Sequence, residues 1–89
     1  MSEPTMRELR FNSDPEKLRM VRERVQEIAE EFGCSKKLIS DLVLAINEAC
    51  MNIMQHAYKG EKSGEILLEM QKENGDVQVV LTEIGRAHV

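Results

Sequence analysis

The stretch from Leu42 to Tyr58, LVLAINEACMNIMQHAY, is apolar enough for a core helix, yet Glu48, Asn52 and His56 recur through it at every fourth position. An α-helix turns about 100° per residue and rises about 1.5 Å. Steps of four therefore set these side chains along one slowly drifting stripe. A carboxylate, an amide and an imidazole in apolar surroundings are costly unless something satisfies them. That stripe is the candidate site.

The flanking residues give the helix its setting. Leu38, Leu42, Ala45, Ala49 and Ile53 form one apolar stripe, and Ile39, Val43, Ile46, Cys50 and Met54 widen it. The pattern predicts a helix over 36–57, capped by Ser35 and buried on most sides. Met51, Met54 and Met70 read as core fillers, Asn47 as solvent-facing, and Tyr58 as a packing residue that ends the helix. An amphipathic helix precedes it, with Leu18, Val21, Val25, Ile28, Ala29 and Phe32 at helical spacing. Ser13-Asp14-Pro15-Glu16 marks its start: Ser13 as cap, Glu16 completing a capping box, Pro15 in the first turn. Gly33 stops it.

Strands flank the helices. Met6 to Phe11 alternates weakly, with Leu9 and Phe11 on one side, as in an edge strand. A mobile polar connection, Lys59 to Gly64, leads into strands over 65–72 and 76–83, with Ile66, Leu68 and Met70 on one face of the first and Val77, Val79 and Leu81 on one face of the second. Asn74-Gly75 between them is the strongest short hairpin signal. The order strand, helix, helix, strand, strand predicts an α+β two-layer sandwich, both helices on one face of a mixed or antiparallel sheet. One strand edge would be left bare for another element or another chain.

Composition narrows the function classes. A chain of 89 residues forms one domain, and 16 acidic against 12 basic residues, with one Tyr, two Phe and no Trp, disfavour nucleic-acid binding. Cys34 and Cys50 lie in no metal-binding spacing and fit a reducing cytosol, so a cytoplasmic location is expected. No apolar run is long enough to span a bilayer, and the start lacks a signal-peptide pattern.

Glu and Asn one helical turn apart can act together. The Asn carbonyl is a hard neutral ligand suited to Mg²⁺, and the carboxylate can take a proton from a nucleophile attacking a terminal phosphate. Asp41, on nearly the same stripe, could orient Glu48. Such a pair is also common on solvated helix edges, so spacing alone leaves both readings open. The wider string, Ala45 to Tyr58, resembles the N-box of the GHKL ATPases, and more narrowly the bacterial anti-sigma factor serine kinases, whose pattern approximates hydrophobic-x-E-A-x-x-N-x-x-x-H-A/G-Y. Glu48, Ala49, Asn52, His56, Ala57 and Tyr58 match it. The Phe-x-Ser-Asp-Pro-Glu-x-Leu entry, the Gly-terminated first helix, Gly64-Glu65-Ile66 and the hairpin follow the same order, so the resemblance covers nearly all of the chain.

The resemblance implies a Bergerat-type ATP site. Asn52 would hold Mg²⁺ and, with His56, Glu83 and Gly85, line the nucleotide. Glu48 would be the catalytic base for a serine hydroxyl on an anti-anti-sigma protein, and a second surface would hold a sigma factor, in a homodimer or other homo-oligomer. The sequence also departs from the family. Glu83-Ile84-Gly85-Arg86-Ala87 stands where Asp-x-Gly-x-Gly is expected, so Glu83 adds a methylene and Ala87 replaces a glycine. The family's ATP lid, second glycine-rich segment and last helix and strands are absent, so 1–89 reads as a single partial, truncated domain with weak or no turnover. Against the kinase stands a reading of another class: a non-catalytic module that captures a sigma factor or self-associates through its open sheet edge.

Overall fold

The computed structural model describes residues 5–57, 59 and 62–85. Its elements are strand β1 (Thr5–Asn12), helix α1 (Leu18–Glu31), helix α2 (Lys36–Asn52), and strands β2 (Glu65–Glu73) and β3 (Asp76–Gly85). A 3-10 turn, Pro15–Lys17, leads into α1, and a π turn, Ile53–Ala57, follows α2. The sheet order is β1-β2-β3 and both pairings are antiparallel. This is the expected α+β architecture, with no parallel pair among the described strands.

Alternation sets the register. Phe11 lies opposite Ile66 and Leu9 opposite Leu68, while Leu81 and Val79 lie opposite Leu68 and Met70 across the other ladder. Ile66, Leu68 and Met70 of the central strand are fully buried. They pack in one cluster with Phe11, with Leu18, Val21, Val25, Ile28 and Phe32 from the first helical segment, and with Ile46, Cys50 and Met54 from the second. The hairpin closes through Asn74 and Gly75 at φ 53° and 86°. Two successive positive values fit a type I′ turn, whose twist matches the strands.

The helix ends are locally determined. Gly33 at φ 79° lets its N–H reach the Glu30 carbonyl at 3.0 Å and lets the Cys34 N–H reach Ala29 at 3.0 Å, a Schellman ending. The sheet secures the same helix end from outside. Lys72 donates to the Phe32 carbonyl at 2.6 Å, and Arg7 makes paired hydrogen bonds to Glu31 at 3.1 and 3.0 Å. The Arg7 hydrogen bond, with the charges of Arg7 and Arg24, holds the exposed Glu31 carboxyl below the usual range against a weaker opposing desolvation. Ser35 caps α2 as expected, accepting from the Leu38 N–H at 3.2 Å.

Four expectations are corrected. Ser13 is not the helix cap. Asp14 caps the 3-10 turn that leads into α1, accepting from the Glu16 N–H at 3.0 Å, and α1 itself has no side-chain cap. Ser13 is instead buried and bonds twice to Gly64, its N–H donating to the Gly64 carbonyl at 2.8 Å and its Oγ accepting the Gly64 N–H at 3.1 Å. The connection before β2 is thus pinned and buried at Gly64. Second, the α-helical hydrogen bonding of α2 ends at Asn52 and gives way to the π turn rather than running to Ala57. Third, α2 is not buried on most sides. Ile46 and Cys50 are its buried residues, whereas Leu44 is 60% exposed and Leu38 and Met51 are each 40% exposed. A two-layer sandwich gives a helix one partner surface, so the opposite face stays in water. Fourth, Met51 is consequently no core filler, although Met54 and Met70 are. Tyr58 lies outside the described residues.

Candidate functional site

Glu48 occupies the outward face of α2. Ile46 and Cys50 lie two residues to either side of it, about 160° around the axis at about 100° per residue, and both are buried against the sheet. Glu48 is therefore directed away from the core and is exposed, as is Asn52 one turn later. The two line one open depression of about 500 Å³, whose other walls are Ala45, Ala49, Met51 and Gln55. The two alanines leave room beside the carboxylate, and Met51 adds an apolar side. The acid and the carboxamide thus share one open hollow.

The other expected site residues fall elsewhere. His56 is exposed in the π turn and does not line the depression; Gln55 does. Each four-residue step drifts by about 40°, so two steps carry His56 about 80° from Glu48, while the seven-residue step to Gln55 returns within about 20°. That seven-residue spacing was the missed signal. Glu83 is exposed on β3 opposite Ile66, and Gly85 pairs with Glu65 across a register shift that leaves Ile84 as an extra residue. Neither borders the depression. Arg86 and Ala87 lie outside the described residues. Asp41 does not orient Glu48, for it pairs with Lys37 at 3.3 Å. Asn47 is no free surface residue either. It accepts from Arg22 of α1 at 3.0 Å and donates to the Met51 sulfur at 3.6 Å.

A larger groove of about 600 Å³ runs between the helices beside Arg22, Ile39, Val43 and Leu44. It holds neither Glu48 nor Asn52, so its size carries no chemical argument.

The donor set of the depression fits a hard cation held mainly by other ligands. Asn52 and Gln55 offer neutral amide oxygens and Glu48 a carboxylate, the oxygen chemistry of Mg²⁺ bound through phosphates and water. Among the described residues no cluster of three or more His, Cys, Asp or Glu could hold a metal alone.

Residues 11–89 match the histidine kinase-like ATPase domain. The chain belongs to that family. Among its relatives is the Serine-protein kinase RsbW of Bacillus licheniformis, 32% identical over 78 residues that cover 88% of this chain and 49% of the relative. The Bacillus subtilis protein of the same name is 31% identical with the same coverage. That of Listeria innocua is 34% identical over 77 residues, covering 86% and 49%. This ATPase-family chain thus spans about half the length of these relatives. Among the described residues, no helix is long and apolar enough to cross a membrane.

Proposed function

We propose that the chain carries the acid–base and cation-side groups of an anti-sigma factor serine kinase acting in the cytoplasm on an anti-anti-sigma protein. The observation that carries this reading is the shared depression of Glu48 and Asn52. When bound, Mg-ATP would supply the phosphoryl group and the charge neutralisation that its transfer needs. Asn52 would turn its amide oxygen to the cation. Glu48 would accept the proton of the attacking serine hydroxyl, within hydrogen-bond reach of it. Leu44 one turn before Glu48 and Met51 three residues after it are exposed. A docking substrate would cover both and exclude water from the carboxylate between them. Until then the hollow is open, consistent with weak turnover by this chain alone.

A second reading keeps the fold and drops the chemistry: a binding module that captures a sigma factor or pairs with its own copy. It is favoured by the outer edges of β1 and β3, which have no second strand partner among the described residues.

Thermal melting with and without Mg-ATP separates them. Ligand at ten times Kd adds about 1.4 kcal/mol to the folded state, roughly 6–11 °C for a domain of this size. The kinase reading expects that rise in wild type and its loss in Asn52→Ala. No rise in wild type at millimolar nucleotide removes it. A strictly monomeric species on sizing chromatography would count against self-pairing, in a homodimer or otherwise.

A further inference from the structure

We propose that Met51 is an oxidation site, at which a hydroperoxide transfers one oxygen atom to the thioether sulfur under the direction of the Asn47 amide. Oxidation at this position requires neither nucleotide nor kinase activity.

Burial sorts the described methionines. Met54 and Met70 are buried and Met20 is half-buried against the core, whereas Met6 is 49% and Met51 40% exposed. A peroxide dissolved in water thus meets Met6 and Met51 before the others and converts them to the sulfoxide. What faces the sulfur differs between these two. Arg7 donates to the Met6 carbonyl at 2.9 Å, and among the described residues no N–H meets the Met6 sulfur. Met51 lies one turn after Asn47 on α2, and the Asn47 Nδ2 donates to its sulfur at 3.6 Å. Arg22 of α1 holds that amide from its other end, donating to Oδ1 at 3.0 Å. An oxygen turned to a guanidinium leaves the NH₂ group facing Met51.

The chemistry uses that NH₂ group. A sulfur lone pair attacks one oxygen of hydrogen peroxide, and the S–O bond forms as the O–O bond breaks. The departing hydroxide recovers the proton of the transferred oxygen and leaves as water. Sulfur loses two electrons and the peroxide gains them. Negative charge develops on the departing oxygen, where a fixed N–H beside the sulfur stabilises it. Nδ2 carries two hydrogens, so it can serve both the sulfur and the peroxide. A thioether sulfur is a weak acceptor, and the polar sulfoxide that replaces it accepts more strongly, so Asn47 then bridges Arg22 and the oxidised Met51. Met51 also forms the apolar side of the depression that holds Glu48. Oxidation turns this side polar, and sulfoxide reductases reverse it.

Hydrogen peroxide added to the intact wild-type chain, with each methionine sulfoxide followed over time by peptide mass spectrometry, tests the inference. Met51 should oxidise ~3–10-fold faster than Met6 despite its lower exposure, the worth of one hydrogen bond. Asn47→Asp keeps an oxygen for Arg22 and removes both N–H donors. It should slow Met51 by the same ~3–10-fold and leave Met6 unchanged. In the oxidised wild type, the Asn47 side-chain NH₂ resonances should move by NMR. Oxidation of Met51 no faster than that of Met6 overturns the inference without recourse to any variant. So does a folded Asn47→Asp chain in which Met51 reacts at the wild-type rate.

Discussion

Replacing Ile46 and Leu44 separately by alanine distinguishes the two faces of α2 more directly than any other pair. The positions are two residues apart on one helix, with similar side-chain volumes and opposite surroundings: Ile46 is 4% exposed and Leu44 is 60% exposed. Ile46 packs among Phe11, Val25, Cys50, Leu68 and the rest of the buried cluster, so truncation loses its transfer free energy and leaves a cavity. Such core truncations cost about 2–5 kcal/mol. A domain of this length has roughly 4–13 kcal/mol in total at roughly 0.05–0.15 kcal/mol per residue. Ile46→Ala should therefore remove roughly a sixth of the stability at the least and most of it at the upper end of that range. Leu44→Ala removes little buried area and should stay within about 0.5 kcal/mol. In urea unfolding followed by far-UV circular dichroism, slopes of about 1–2 kcal/mol/M place the Ile46→Ala midpoint at least ~1 M below wild type. The Leu44→Ala midpoint should hardly move. Equal losses in the two variants would mean that the outer face of α2 is covered in solution, and the orientation assigned to Glu48 would be wrong.

Further expectations concern single contacts. Burial pushes the Cys50 thiol from its ordinary 9.0 to about 11, and a raised value means the neutral thiol is favoured in the fold. This contribution is complete below pH 9 and lost as pH rises through 11, about 2–3 kcal/mol in all; alkaline unfolding of Cys50→Ala should lack that component. Ser13→Ala strands the buried Gly64 N–H and should cost about 1–3 kcal/mol in denaturant unfolding, against about 1 kcal/mol for the cap of the 3-10 turn in Asp14→Ala. Gly75→Ala meets no atom within 4 Å, so its loss of about 1 kcal/mol should reflect the positive φ alone and leave the sheet register unchanged by NMR.

What the sequence disclosed was local in origin. Asn74-Gly75, the Ser35 cap and the Gly33 stop act through their own backbone angles and neighbours within four residues. The alternation of Ile66, Leu68 and Met70 likewise needs no knowledge of the partner strand. Ser13 was misread because its partner, Gly64, is 51 residues away. Lys72 on the Phe32 carbonyl and Arg22 on Asn47 were invisible for the same reason. The burial of α2 failed differently. Counting apolar residues around a helix says how much surface would gain from cover, not how many neighbours the fold supplies. Leu38, Leu44 and Met51 show the difference. Within the candidate site, the four-residue recurrence was legible for Glu48 and Asn52. It misdirected at His56, because 40° of drift per step had accumulated twice.

Packing and candidate chemistry share α2 but not a side of it. Ile46, Cys50 and Met54 hold the helix on the sheet, while Glu48, Asn52 and Gln55 line the opposite hollow and contribute nothing to the buried cluster. The fold can therefore change its functional side chains without disturbing its core. On the kinase reading, Glu48→Gln and Asn52→Ala should therefore impair binding or proton transfer and leave folding unchanged. The converse holds for Cys50 and Ile46, which reach the hollow only through the backbone they share with it. That same separation leaves the Glu48 carboxylate exposed to water. On the kinase reading proposed above, its use as a base would depend on a second surface closing over Leu44 and Met51, so that substrate docking and activation of Glu48 would be a single event.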